Sequence, residues 1–262
     1  MEIDILLLTV YFICIGYVIY QMALSVEAAL EDQVVLVADQ EGLEATVRSQ
    51  MVQQGFSEDA AEGVSAAPAP LRPTTALQLS MPEPKTITDE AGNPTQGRVL
   101  MQVLPQGPQP LQPVPGLTVQ VLNQTQGVQV TVDWDRSSIS RVNNQIRRAI
   151  RITPGMRLDL GLPQVTSVVN PNQFLSALIT SEDTFTRNPD TQVLQVAAPL
   201  LDLQRMAVMP ATARYALDLV VQLTPMAGRG ARSIVLLVPF HFRVEVLPAQ
   251  PAVPLLNWLM RR

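Results

Sequence analysis

The sequence predicts a mainly β protein: one N-terminal transmembrane helix, a linker, then a β-sandwich of immunoglobulin-like type. Three observations predict this. Residues 5–24 are apolar and uncharged. From Gly116 to Leu247 apolar residues recur with a period of two. Pro and Gly punctuate those runs, and no strand–helix alternation intervenes.

The first element is ILLLTVYFICIGYVIYQMAL, from Ile5 to Leu24. At about 1.5 Å per residue such a helix matches a hydrocarbon core of about 30 Å. Tyr20 is placed for an interfacial ring. A cleaved signal peptide would begin with basic residues, but Met1-Glu2-Ile3-Asp4 is acidic. Residues 1–24 therefore read as an uncleaved anchor that contacts membrane lipid through residues 5–24. No Lys or Arg precedes the helix, and none follows it before Arg48. Nothing basic holds the N-terminus in the cytoplasm, so the expectation is N-terminus out, with the large domain on the cytoplasmic face.

Residues 25–62 read as a partly helical acidic stalk. Leu43, Val47 and Met51 recur every four residues, the stripe of an amphipathic helix. The Val34–Val37 run fits helix or strand. Residues 63–115 read as a Pro-rich linker, with GVSAAPAPLRP at its start and PQGPQPLQPVP at its end. Ala76–Leu79 and Val99–Leu104 are possible short strands within it.

Residues 116–248 carry the β-sandwich. Leu117, Val119 and Val121 alternate, a turn at Asn123–Gly127 follows, and Val128, Val130, Val132 and Trp134 alternate again. This reads as a hairpin. Ala149–Ile152, Arg157–Leu160, Val165–Val169, Phe174–Thr180, Tyr215–Leu223, Ser233–Val238 and Phe240–Val246 are further strands. The one helical candidate is Ser138–Arg148. Residues 249–262 form an apolar tail, Leu255, Leu256, Trp258, Leu259 and Met260, closed by Arg261-Arg262.

Composition limits the function classes. The net charge is −5, with no basic block of the size that phosphate backbones require, so no nucleic acid is expected. Cys14 is the only cysteine, which excludes an intramolecular disulfide and a cysteine metal site. No P-loop, no G-x-S-x-G elbow and no dinucleotide fingerprint is present. His241 is the only histidine. In PFHFRVEV it alternates away from Phe240, Phe242 and Val244, onto an outward strand face. Asp133-Trp134-Asp135 matches the D-x-D spacing that binds a divalent metal and a diphosphate in glycosyl transfer. It also fits two exposed acids paired to nearby arginines. Arg136, Arg141, Arg147, Arg148, Arg151 and Arg157 form the only basic concentration. Together with Trp258, Arg261 and Arg262 they are the candidates for binding anionic lipid or a protein partner. No catalytic residue, metal site or cofactor is assigned. The expected function is a non-enzymatic single-pass membrane protein whose β domain is an interaction or assembly module for an unidentified protein. An anionic-lipid or envelope-binding domain and a D-x-D glycosyltransferase are the alternatives.

Overall fold

The computed structural model describes residues 2–31, 33–55, 61–68, 74–82, 96–141, 145–155, 158–210, 212–226 and 233–246. In chain order its elements are α1 (Glu2–Glu31), β1 (Gln33–Ala38), α2 (Gln40–Gln53), β2 (Val64–Pro68), β3 (Thr75–Pro82), β4 (Gln96–Leu104) and β5 (Gly107–Pro110). There follow β6 (Leu117–Gln124), β7 (Val128–Ser140), β8 (Ile146–Ile152), β9 (Ser167–Val169), β10 (Gln173–Ser181), β11 (Phe185–Arg187), β12 (Leu194–Val196), α3 (Leu203–Val208), β13 (Arg214–Pro225) and β14 (Ile234–Val246).

The protein is mainly β, but its core is not an immunoglobulin-like pair of separate sheets. One antiparallel sheet runs β2-β3-β4-β6-β10-β8-β7-β13-β14-β1-β5, with β9 added on β7, and curls into a half-barrel. The joint is β8. Its first residues pair with β7 (Ser138↔Arg148, Ser140↔Ile146) and its last with β10 (Ala149↔Ser181, Ile152↔Leu178). A strand that changes neighbours midway turns the corner between two halves of a sheet. The inner faces of both halves then meet in one core, with Leu77, Val99, Met101, Val119, Val121, Trp134, Leu217, Leu236 and Phe240 essentially inaccessible.

The stretches read as stalk and linker supply strands to this same sheet. Val34–Val37 is strand, flanked by β14 on one side and β5 on the other. Both short strands expected in the linker are present, extended to β3 and β4. Period-two alternation across proline-rich sequence outweighed the proline signal because β5 is an edge strand, where a missing N–H costs no ladder bond. The helix expected from Leu43, Val47 and Met51 is α2, and those three residues are its buried face. Asp39 caps it, accepting from Gly42 N–H at 3.1 Å.

Helix α2 takes the place of a missing strand. Gln50 and Gln54 bond the backbone of Leu237 and Val235, on the edge of β14 beyond the reach of β1. From its other side Glu44 accepts from Ala66 N–H at 3.0 Å, and Arg48 donates to Val64 O at 2.9 Å, both on β2. The helix thus spans the open side of the curl and satisfies two sheet edges that would otherwise be free to pair with another chain.

Three further expectations are corrected. Strands β6 and β7 are not a hairpin: β6 pairs with β4 and β10, and β7 with β13, β8 and β9. The turn between them carries the chain from one half of the sheet to the other. It is pinned by buried Asn123, which donates to Val128 O and Val169 O at 2.8 and 3.1 Å. Ser138–Arg148 is not helical, since β7 runs on to Ser140 and β8 starts at Ile146. The two closing strands are one, β14, which passes through Pro239. Odd-numbered residues of β14 direct their backbone toward α2 and β1, as the bonds at Val235, Leu237 and His241 show. The donor that Pro239 lacks would have pointed into that gap, so the ladder with β13 loses nothing.

Helix α1 ends at Glu31 and β1 begins at Gln33. Of its side chains those from 7 to 22 are described, and all are exposed except half-exposed Ile15. Among the described residues no helix is long and apolar enough to cross a membrane.

Candidate functional site

The described arginines of the basic run differ in their partners. Arg136 and Arg147 are exposed. Arg141 pairs with Asp183. Arg148 bonds Leu160 O and lies 3.5 Å from Asp135 Oδ1. Arg151 donates to Ser167 Oγ at 2.7 Å. Arg157, Trp258, Arg261 and Arg262 lie outside the described residues. Alternate residues of a strand lie on opposite faces, and β8 turns a corner between β7 and β10.

Several of these groups brace one loop instead. Gln164 donates to Ala149 O at 2.7 Å and accepts from Arg151 N–H at 2.7 Å. Its own N–H donates to Asp135 Oδ2 at 2.8 Å. Ser167 Oγ accepts from the indole of buried Trp134 at 2.9 Å. Asp135, Arg151, Gln164 and Ser167 thus hold the 158–166 segment against the corner of the sheet.

The Asp133–Asp135 pair straddles an irregularity in β7. Opposite β13 the register jumps, so that Asp133 faces Val220 and Ser138 faces Asp218. Ser137 repairs the break: its hydroxyl donates to Asp133 O at 2.5 Å and accepts from Val220 N–H at 3.0 Å. The Asp133 carboxylate accepts from Arg136 N–H at 3.2 Å. Both acids therefore already serve the protein's own donors. Among the described residues no group of three or more His, Cys, Asp or Glu side chains could hold a metal ion.

The second half of the sheet carries an open hollow of about 750 Å³ on its outer side, at the end where β1 gives way to α2. Val37, Arg243 and Arg214 stand in one rung, since Val37 pairs with Arg243 and Arg214 pairs with Arg243. His241, Ala216 and Ser140 form the next. Ser138 and Asp218 face each other one rung further on. Ala216 offers only a methyl group at the centre, and the long side chains around it make the walls. Arg141, Asp39 and Glu41 complete the rim.

Asp218 is the functional-looking residue that sequence reasoning missed. Burial pushes its carboxyl above the usual aspartate range, while the charge of His241 and a hydrogen bond from Ser138 pull it back. The spatial order is Ser138–Asp218–His241. A nucleophilic triad needs histidine between the acid and the serine, so that imidazole takes the hydroxyl proton. Here the acid sits in the middle, and the arrangement does not activate Ser138. The alternation of β13 could have marked Asp218 as the one acid in that strand, but not its neighbours across the sheet.

The first half of the sheet presents a contrasting outer face. Phe174, Leu122 and Leu100 share one rung, and Leu178, Thr118 and Leu104 another. Phe174 is 58% exposed and Leu178 39%. Gln102 and Gln120 bond each other between these rungs. Arg98 is the one charge among the outward residues of β4, β6 and β10.

No family model matches this chain, and neither a curated protein nor a solved structure matches it.

Proposed function

We propose that this chain is a non-enzymatic single-pass membrane protein whose curled β-sheet domain is an interaction module held close to the bilayer. The observation that carries the reading is the junction of α1 with β1. One residue separates an apolar helix, exposed at every described side chain but Ile15, from a strand held on both sides within the sheet. Exposed apolar side chains such as Leu7, Phe12, Ile13 and Ile19 are unfavourable in water, and each stands to gain roughly 1.5–3 kcal/mol on burial. The uncharged sequence from Ile5 to Leu24 supports burial in lipid. The union with β1 fits a docking module rather than a domain on a long leash.

Two further features support the reading. Val34 pairs with Val246, so the C-terminal end of β14 lies beside the point where α1 enters the domain. Trp258, Arg261 and Arg262 on that tail are the proposed interfacial contacts. The outer face built on Phe174, Leu122 and Leu178 suits a protein partner of similarly low charge. The proposed orientation puts the domain on the cytoplasmic face.

Alkaline carbonate extraction of membranes carrying the full chain tests the anchor, and protease added to sealed vesicles of known orientation tests the side. Retention in the carbonate-washed pellet, lost when residues 2–24 are deleted, is the expected result. Release of the full chain by carbonate would refute the anchor. A chain that stays monomeric and without partners in detergent extracts would count against the interaction module.

A further inference from the structure

We propose that the hollow over Ala216 binds a phosphate group, held by Arg214 and Arg243 with Ser140 as a hydroxyl donor. Arg214 and Arg243 are direct cross-strand partners on the outer face. Like charges so placed destabilise a sheet unless an anion lies between them. Their compensation within the protein is thin. Among the described residues Arg214 has no ion-pair partner, and Arg243 has only Glu245, at 2.6 Å on its own strand, with both side chains largely exposed. Exposed pairs of that kind contribute little.

The shape agrees with the charge. Ala216 leaves a dip directly beside Arg214, bounded by His241 on β14 and Ser140 on β7. Two guanidinium forks on one side of such a dip match the tetrahedral oxygens of a phosphate better than two ammonium groups would. The acids around it are engaged or set back: Asp39 caps α2, Asp183 holds Arg141, and Asp218 lies one rung away. Glu41 on the rim favours a small anion over an extended polyanion.

The phosphate has two possible sources, a free phosphate compound or a phospholipid headgroup. Arg243 pairs with Val37, three residues along β1 from Val34, or about 10 Å at 3.4 Å per residue. Since α1 continues from Leu24 to Glu31, about 10 Å at 1.5 Å per residue, before β1 begins, a headgroup reaches the hollow only where the domain leans back onto the bilayer. The site itself does not rest on the anchor.

The test is titration of inorganic phosphate into the full chain in detergent micelles, followed by heat of binding, with chloride at matched ionic strength as control. The expected result is saturable binding that chloride does not reproduce, weakened about tenfold or more in Arg214→Ala. Arg243→Lys, which keeps the charge and loses the fork, should also weaken it, while Arg98→Ala, at an exposed arginine on the other half of the sheet, should not. Repeating the titration in nanodiscs separates the sources. Loss of the phosphate signal in phosphatidylglycerol discs but not in phosphatidylcholine discs identifies the headgroup; a signal in both identifies a free ligand. Binding no different from chloride, or unchanged in folded Arg214→Ala, would overturn the proposal.

Discussion

Gln50 grips the backbone of Leu237 with both ends of its carboxamide. Its Nε2 donates to Leu237 O at 2.7 Å, and Leu237 N–H donates to its Oε1 at 2.8 Å. One side chain thus reproduces the two bonds that a neighbouring strand would make. Gln50→Ala should cost about 1–2 kcal/mol, because both bonds are lost and water can replace them only in part. Chemical denaturation of both proteins checks the magnitude. Hydrogen exchange should locate the loss at Val235–Leu237, with the β13 ladder unchanged.

Tyr215 stacks on Phe242 with ring centroids 4.8 Å apart, and among the described residues its buried hydroxyl has no partner. Burial raises its ionisation far above the ordinary tyrosine range. The ring packs well and the hydroxyl is a liability. Tyr215→Phe should keep the stack and hold or raise stability, by up to about 1 kcal/mol. A clear loss in a thermal melt would mean that the hydroxyl has a partner.

Asp218 gives a pH dependence of definite sign. Its carboxyl holds a proton more tightly in the folded chain than in the unfolded one. Between the ordinary aspartate value and the raised one, the folded state therefore binds more protons, and stability falls as pH rises. Above that window the full penalty of a desolvated carboxylate remains. Asp218→Asn should raise the melting temperature at neutral pH relative to the parent. The advantage should vanish at acid pH, below the ordinary aspartate value. Melts of both proteins across that range check it.

Trp134 and Trp258 are the two tryptophans, and their expected surroundings differ. Trp134 is wholly buried in the sheet. Trp258 is proposed at the lipid surface. In vesicles with brominated acyl chains, a large share of the fluorescence should be quenched, and Trp258→Phe should abolish that share. Quenching that survives in Trp258→Phe would remove the tail from the interface.

How much of this was legible in sequence follows from what periodicity encodes. Alternation located β13 and most of β6, β7 and β10, because inward residues such as Leu217, Leu219 and Val221 must be apolar to build the core. It carried no record of partners. Asn123–Gly127 looks like a hairpin turn, yet it sends β7 to β13 rather than back to β6. Val34–Val37 resembled a stalk because its partners, Val246 for Val34 and Val244 for Leu36, lie at the far end of the chain. The rung of Arg214 and Arg243 was invisible for the same reason, while Arg141, Arg148 and Arg151 of the conspicuous basic run have partners within the chain that the sequence does not show. Asp133 and Asp135 looked like a motif and serve instead to mend a bulge and brace a loop.

Cys14 lies within the apolar part of α1 and is the only thiol in the chain. Full-length protein in sealed vesicles, treated with a membrane-impermeant maleimide, therefore reports on the anchor without any mutation. If α1 spans the bilayer, Cys14 should stay unlabelled from either side and react only after the chain is unfolded in detergent. Ready labelling in intact vesicles would place α1 in water or against protein, and would contradict the membrane-held module.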